Sequence, residues 1–193
     1  MVHRTAVLRT TLRDRALMVL LSGALVIGWV ACARADTNPE AAPEVRGLLG
    51  QPQALGAGQF RYLGLKVYDA QMFAPRGQGF SREGLYALEI EYARKIKRGV
   101  LIKASLNELK RIEGPQSDHT DILEKLTVCY RDIRPGDRIV AAPKSKDALN
   151  FWVNGAQTCT LRHRDIRDRY MAIWLSEKAR DRQFARQVMA EQN

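Results

Sequence analysis

The sequence predicts an α+β fold built on one antiparallel sheet, and three observations carry this. Asn154-Gly155 stands between two runs of strand character, residues 149–153 and 157–161. Asn-Gly accepts the positive φ values of a tight hairpin turn. Tyr86, Leu88, Ile90 and Tyr92 alternate with Ala87, Glu89 and Glu91, the pattern of a strand with one face packed. The order of segments is strands, two helices, strands, then helices, with hairpins joining most strands. That order points away from a doubly wound nucleotide fold.

Taken in order, the chain of 193 residues opens with Arg4, Arg9, Arg13 and Arg15, an apolar run over 16–31, and Ala33-Arg34-Ala35 before Asp36. A basic region, a short apolar core and a small-x-small site make residues 1–35 a secretory signal peptide, with export to the periplasm as the expectation. The alternatives are an uncleaved anchor, for which the run is short of about 20 residues, and a lipoprotein signal ending at Cys32. Residues 36–45 hold two prolines and little periodicity and read as a flexible leader; the domain proper is expected over 46–193.

Residues 46–55 read as an edge strand limited by Pro52. A glycine turn at Gly56-Ala57-Gly58 then launches one long strand through Phe73, with Arg61, Leu63, Leu65 and Val67 on a common face. Residues 75–79 form a turn, and 85–92 a second strand. Leu101, Ile102, Ser105, Leu109 and Ile112 mark a helix over 100–112 that Gly114-Pro115 stops. Ile122, Leu126, Cys129, Tyr130 and Ile133 mark another over 120–130, with Thr120 as its cap. A strand over 138–142, a polar loop over 143–147 and the Asn154-Gly155 hairpin follow. Ile166, Tyr170, Ile173 and Trp174, then Phe184, Val188 and Met189, return to helical spacing.

Cleavage of the leader removes five of the 31 basic and one of the 21 acidic residues, so the formal charge falls from +10 to +6. Nucleic acid is not expected as a partner of an exported chain without a basic run or helix-turn-helix signal. Acidic small molecules or an anionic membrane surface suit the charge better, and solubility alone is the plain alternative. Cys129 and Cys159 remain as an even pair, either a disulfide in an oxidising compartment or two buried thiols. His119 and His163 are isolated, so no metal is expected, and no cofactor motif is present. What remains for chemistry is Arg61 with the phenols Tyr62, Tyr68 and Tyr92. A guanidinium beside an apolar face needs a partner: an acidic ligand met bidentately, or a carboxylate of Glu89, Glu91 or Asp69.

Gly56-Ala57-Gly58 with Arg61, followed by Val67-Tyr68-Asp69-Ala70, resembles the chalcone isomerase-like family. Arg134-Pro135-Gly136-Asp137, Phe151 to Gly155 and Ile173-Trp174-Leu175 resemble later landmarks of its bacterial secreted branch, in the same order. The resemblance implies an open-faced β-sandwich: a large antiparallel sheet, helices layered on one side and a cleft between them. It also implies a ligand site with Arg61 as anion anchor, Tyr92 as its hydrogen-bonding partner, and Leu63, Leu65, Val67, Leu88 and Ile90 as the apolar wall. In the plant isomerases a threonine and an asparagine complete the catalytic pocket; here Leu63 and Gly99 fall at those places. Without the groups that order water, most of the isomerase mechanism is missing. The expectation is therefore a non-catalytic domain holding a small apolar anion such as a fatty acid. An intramolecular lyase and an envelope interaction module without ligand are the alternatives.

Overall fold

The computed structural model describes residues 40–190; the leader expected over 1–35 lies outside them. Six described strands form one fully antiparallel sheet in sequence order: β1 (Pro52–Tyr62), β2 (Leu65–Pro75), β3 (Ala87–Tyr92), β4 (Arg138–Ser145), β5 (Ala148–Val153) and β6 (Ala156–Arg162). Each strand pairs with its neighbour in the chain. The β3–β4 link is the exception in length, because it carries α2 (Arg98–Glu113) and α3 (His119–Cys129). After β6 come α4 (Ile166–Leu175) and α5 (Arg182–Ala190).

Alternation sorts the side chains onto two faces. Met72, Leu88, Ile90, Ala141, Phe151 and Val153 point toward the four helices and form the main core with Ile122, Leu126, Tyr170 and Phe184. The other face carries a smaller cluster, Phe73, Ala87, Val140 and Ala142, covered by Val45 and Leu49 of α1 (Pro43–Leu49). The α+β architecture with an open antiparallel sheet is thus the one the sequence implies, with α1 set on the face opposite the other helices.

Three expectations are corrected. The run from Gly56 to Phe73 is two strands, not one. Leu63 and Gly64 adopt φ of 48° and 77°, and the chain reverses there, so Tyr62 pairs with Leu65. Two consecutive residues at positive φ make the same kind of turn as Asn154-Gly155 (49° and 83°), but a leucine gives no sequence sign of it. Aliphatic residues at 63, 65 and 67 mimic a strand face across a turn.

The flexible leader expected over 36–45, of which 36–39 lie outside the described residues, is redrawn from Pro43 onward, and so is the strand over 46–55. Pro43 opens α1, where its fixed φ and missing N–H suit the first helical turn. Glu89 holds this helix down: its buried carboxylate accepts the Ala42 N–H at 2.9 Å and faces Arg138 Nη1 at 3.4 Å. Glu44 accepts the Gly155 N–H at 3.2 Å. β1 begins only at Pro52, a position at the strand's first residue where no ladder donor is lost.

The third concerns smaller boundaries. Asp118, not Thr120, is the cap residue of α3, and most of the polar loop at 143–147 is the end of β4.

Candidate functional site

Gly58 starts the site. A Cβ there would lie 2.6 Å from Asp181 Oδ2 and 2.8 Å from Phe184 Cβ, so only glycine lets α5 seat against β1. With α5 in place, an open cleft of about 580 Å³ is left between β1–β3 on one side and α2, α4 and α5 on the other. That is within the usual range for small-molecule sites. Phe60, Val67, Leu101, Ile173, Trp174 and Phe184 make most of its wall apolar.

Phenols supply the polar groups. Tyr68 stacks on Phe60 at 5.2 Å and meets Tyr92 edge-on at 5.8 Å, while Trp174 Nε1–H donates to the Tyr68 hydroxyl at 3.3 Å. Deeper, the Tyr130 hydroxyl shares hydrogen bonds with Ser105 Oγ (3.1 Å) and the Tyr170 hydroxyl (2.5 Å). The Tyr92 hydroxyl differs from these. Its ring lines the cleft, and among the described residues nothing hydrogen-bonds to it. Burial pushes Tyr68 up to about 12 against the Trp174 hydrogen bond, and raises Tyr92, Tyr130 and Tyr170 as well. At neutral pH these groups are therefore protonated donors and cannot serve as bases.

The mouth is charged. Arg180, between α4 and α5, donates through Nε to Glu108 Oε1 of α2 at 2.7 Å, and Arg111 holds Oε2 at 2.6 Å. Burial pushes the Glu108 carboxyl up, but these two guanidinium groups outweigh it and hold the pKa below the ordinary value. Lys103 also lines the cleft, exposed and without an ion pair among the described residues.

Of the residues expected to form the site, Tyr92 and Val67 line this cleft. Arg61 does not. It is exposed on the far side of the β1–β2 hairpin, donating to Gln59 Oε1 at 2.8 Å and to the Gly64 carbonyl at 3.1 Å. Gly58, Phe60 and Tyr62 line the cleft from β1, so alternation sends Arg61 the other way. Leu63 and Leu65, expected in the wall, are 84% and 53% exposed at the hairpin tip. Leu88 and Ile90 are core residues beneath the helices, outside the cleft lining. Tyr68, named in the sequence among the phenols left for chemistry and in the Val67-Tyr68-Asp69-Ala70 run but not placed in the site, is central. Phe60, Trp174, Phe184, Lys103 and Arg180 were missed, and parity within β1 is the signal that would have found Phe60.

Cys129 and Cys159 are joined by a disulfide, Cα–Cα 5.0 Å, which ties the end of α3 to β6. His119 and His163 sit outside the cleft. They share an ion-pair network in which Arg169 bridges Glu113 and Asp118 at 2.7–2.9 Å. Among the described residues no group of His, Cys, Asp and Glu has the arrangement of a metal site.

No family model matches the sequence, and no curated protein matches it. Among solved structures, a fatty-acid-binding protein of Arabidopsis thaliana is similar: the TM-score is 0.58 at 13% sequence identity, over 72% of this chain and 87% of that one. That protein has the chalcone isomerase-like fold, and the likeness establishes the same fold for this chain.

Proposed function

We propose that this is an exported, non-catalytic domain that binds a small apolar anion, such as a fatty acid, in the cleft between the sheet and α2, α4 and α5. The observation that carries the reading is the Tyr92 hydroxyl, a phenol donor without a protein partner inside a largely apolar cleft of about 580 Å³. A carboxylate is the acceptor it lacks; the alkyl chain would lie against Phe60, Trp174 and Phe184, with Lys103 adding positive charge at the mouth. General-base catalysis by the phenols that face the cleft is disfavoured, because they stay protonated at neutral pH. The fold of the Arabidopsis fatty-acid-binding protein supports the same class of ligand. Export rests on the N-terminal basic, apolar and small-residue pattern.

Lipid extraction and mass spectrometry of the purified protein, followed by titration with a long-chain fatty acid, test this reading. Tyr92→Phe should weaken binding by roughly tenfold, the worth of one hydrogen bond to a charged group, at unchanged melting temperature. Arg61→Ala should bind as wild type. Absence of both co-purified lipid and saturable binding, or full affinity in Tyr92→Phe, overturns it; turnover of a chalcone would favour the lyase instead.

A further inference from the structure

The hairpin tip between β1 and β2 carries two costs that its fold does not need. Leu63 occupies a left-handed conformation, φ 48°, that asparagine or glycine adopts more cheaply, and it is 84% exposed. Tyr62 and Leu65 beside it are 64% and 53% exposed, and Val100, at the start of α2, is 58% exposed. Tyr62 and Val100 both line the mouth of the cleft, so these apolar side chains lie at one end of the molecule. They do not form part of either core cluster.

Basic residues predominate at that end. No Asp or Glu occurs between Gln59 and Tyr68 or between Ala93 and Asn107, whereas Arg61, Arg94, Lys95, Lys97, Arg98 and Lys103 all do, and all six are exposed. Arg94 Nε donates to the Lys66 carbonyl at 2.9 Å, which fixes the segment after β3 alongside the tip. The carboxylates at this end are already engaged, Asp69 by Lys66, Asp132 by Lys97, and Glu108 by Arg180 and Arg111. Apolar side chains that project through a ring of cations are complementary to an anionic bilayer surface. The leucines enter the acyl boundary while Lys and Arg stay among the headgroups.

We propose that the β1–β2 hairpin tip and the start of α2 dock the protein on anionic phospholipid membranes, with the mouth of the cleft facing the bilayer. A ligand that partitions into membranes could then enter or leave without crossing bulk water. Docking goes beyond the ligand reading and is measured apart from it: vesicle binding reports the first, lipid extraction the second, and either can fail alone.

Sedimentation of purified protein, processed as its host processes it, with vesicles of equimolar phosphatidylcholine and phosphatidylglycerol tests the proposal. The expected result is binding that declines as salt rises and is weaker to phosphatidylcholine alone. Leu63→Asn combined with Leu65→Ser should weaken it at least about tenfold, while Leu63→Asn by itself leaves the melting temperature unchanged or raised, because asparagine suits the turn. Lys95→Glu with Arg98→Glu should abolish the preference for anionic vesicles. Val128→Ser, which removes an apolar residue 71% exposed on α3, should change nothing. Full binding by the tip variant, an equal loss in Val128→Ser, or insensitivity to salt overturns the proposal.

Discussion

Gly58 and Gly99 show how one residue type can be indispensable at one place and dispensable at another. At Gly58 the clash falls on Asp181, whose Oδ1 already accepts the Phe184 N–H at 2.9 Å, so the carboxylate cannot simply swing away. Gly58→Ala should cost about 1–3 kcal/mol, as overpacking does, and lower the melting temperature in a thermal scan by several degrees. Gly99→Ala meets nothing within 4 Å and should leave it unchanged or raised. The same scale explains which site residues could be read from the sequence. Tyr92 was legible, since a phenol ending an alternating strand stays on the packed face. Arg61 was misplaced by one step of alternation, because the turn at Leu63-Gly64 was invisible and its strand was aligned as though it continued. Trp174 and Phe184 could not be assigned to the site without knowing that α4 and α5 return to cover β1 and β2.

At the scale of elements, the two hairpins carry the lesson. The Asn154-Gly155 turn is written in residue chemistry, and the structure has it where expected. The Leu63-Gly64 turn is set by the pairing of β1 with β2 over ten residue pairs, a tertiary constraint that overrides the preference of leucine. α1 was missed for a related reason: seven residues are too few to display a helical period, and Val45 and Leu49 are buried only because a sheet face lies beneath them. The disulfide joins elements that hydrogen bonds link only once, through Thr158 Oγ1 to the Cys129 carbonyl at 2.9 Å. With a separation of 30 residues, its loss should cost about 3–4 kcal/mol on chain-entropy grounds. Urea unfolding of Cys159→Ser, or of wild type under reductant, should show a lower midpoint and an unfolding free energy smaller by that amount; an unchanged midpoint would mean the α3–β6 contact is held by packing alone.

For the whole molecule, stability should be bounded on both sides of neutral pH. On the alkaline side, burial raises Tyr68 and Tyr86 from 10 to about 12. The folded state keeps protons that the unfolded chain releases, so stability is full below pH 10 and declines as pH rises toward 12. On the acid side, burial and then Lys125 lower His163 below its ordinary 6.5. The unfolded chain takes up that proton first, so stability begins to fall as pH drops below 6.5. It falls further below about 4, where the carboxylates held down by Arg169 are protonated: Asp118 chiefly through its hydrogen bonds, and Glu113 through hydrogen bonds that outweigh burial. Urea midpoints across pH should trace this plateau; a midpoint still rising between pH 10 and 12 contradicts the phenol assignment. The Tyr68–Trp174 contact has a further consequence. Of the two tryptophans in the described residues, Trp152 packs on the α1 side of the sheet, while Trp174 borders the cleft with its indole N–H on a phenol. The molecule thus contains its own fluorophore at the cleft, and a guest entering it would announce itself as a change in the colour and yield of Trp174 emission, with no label attached.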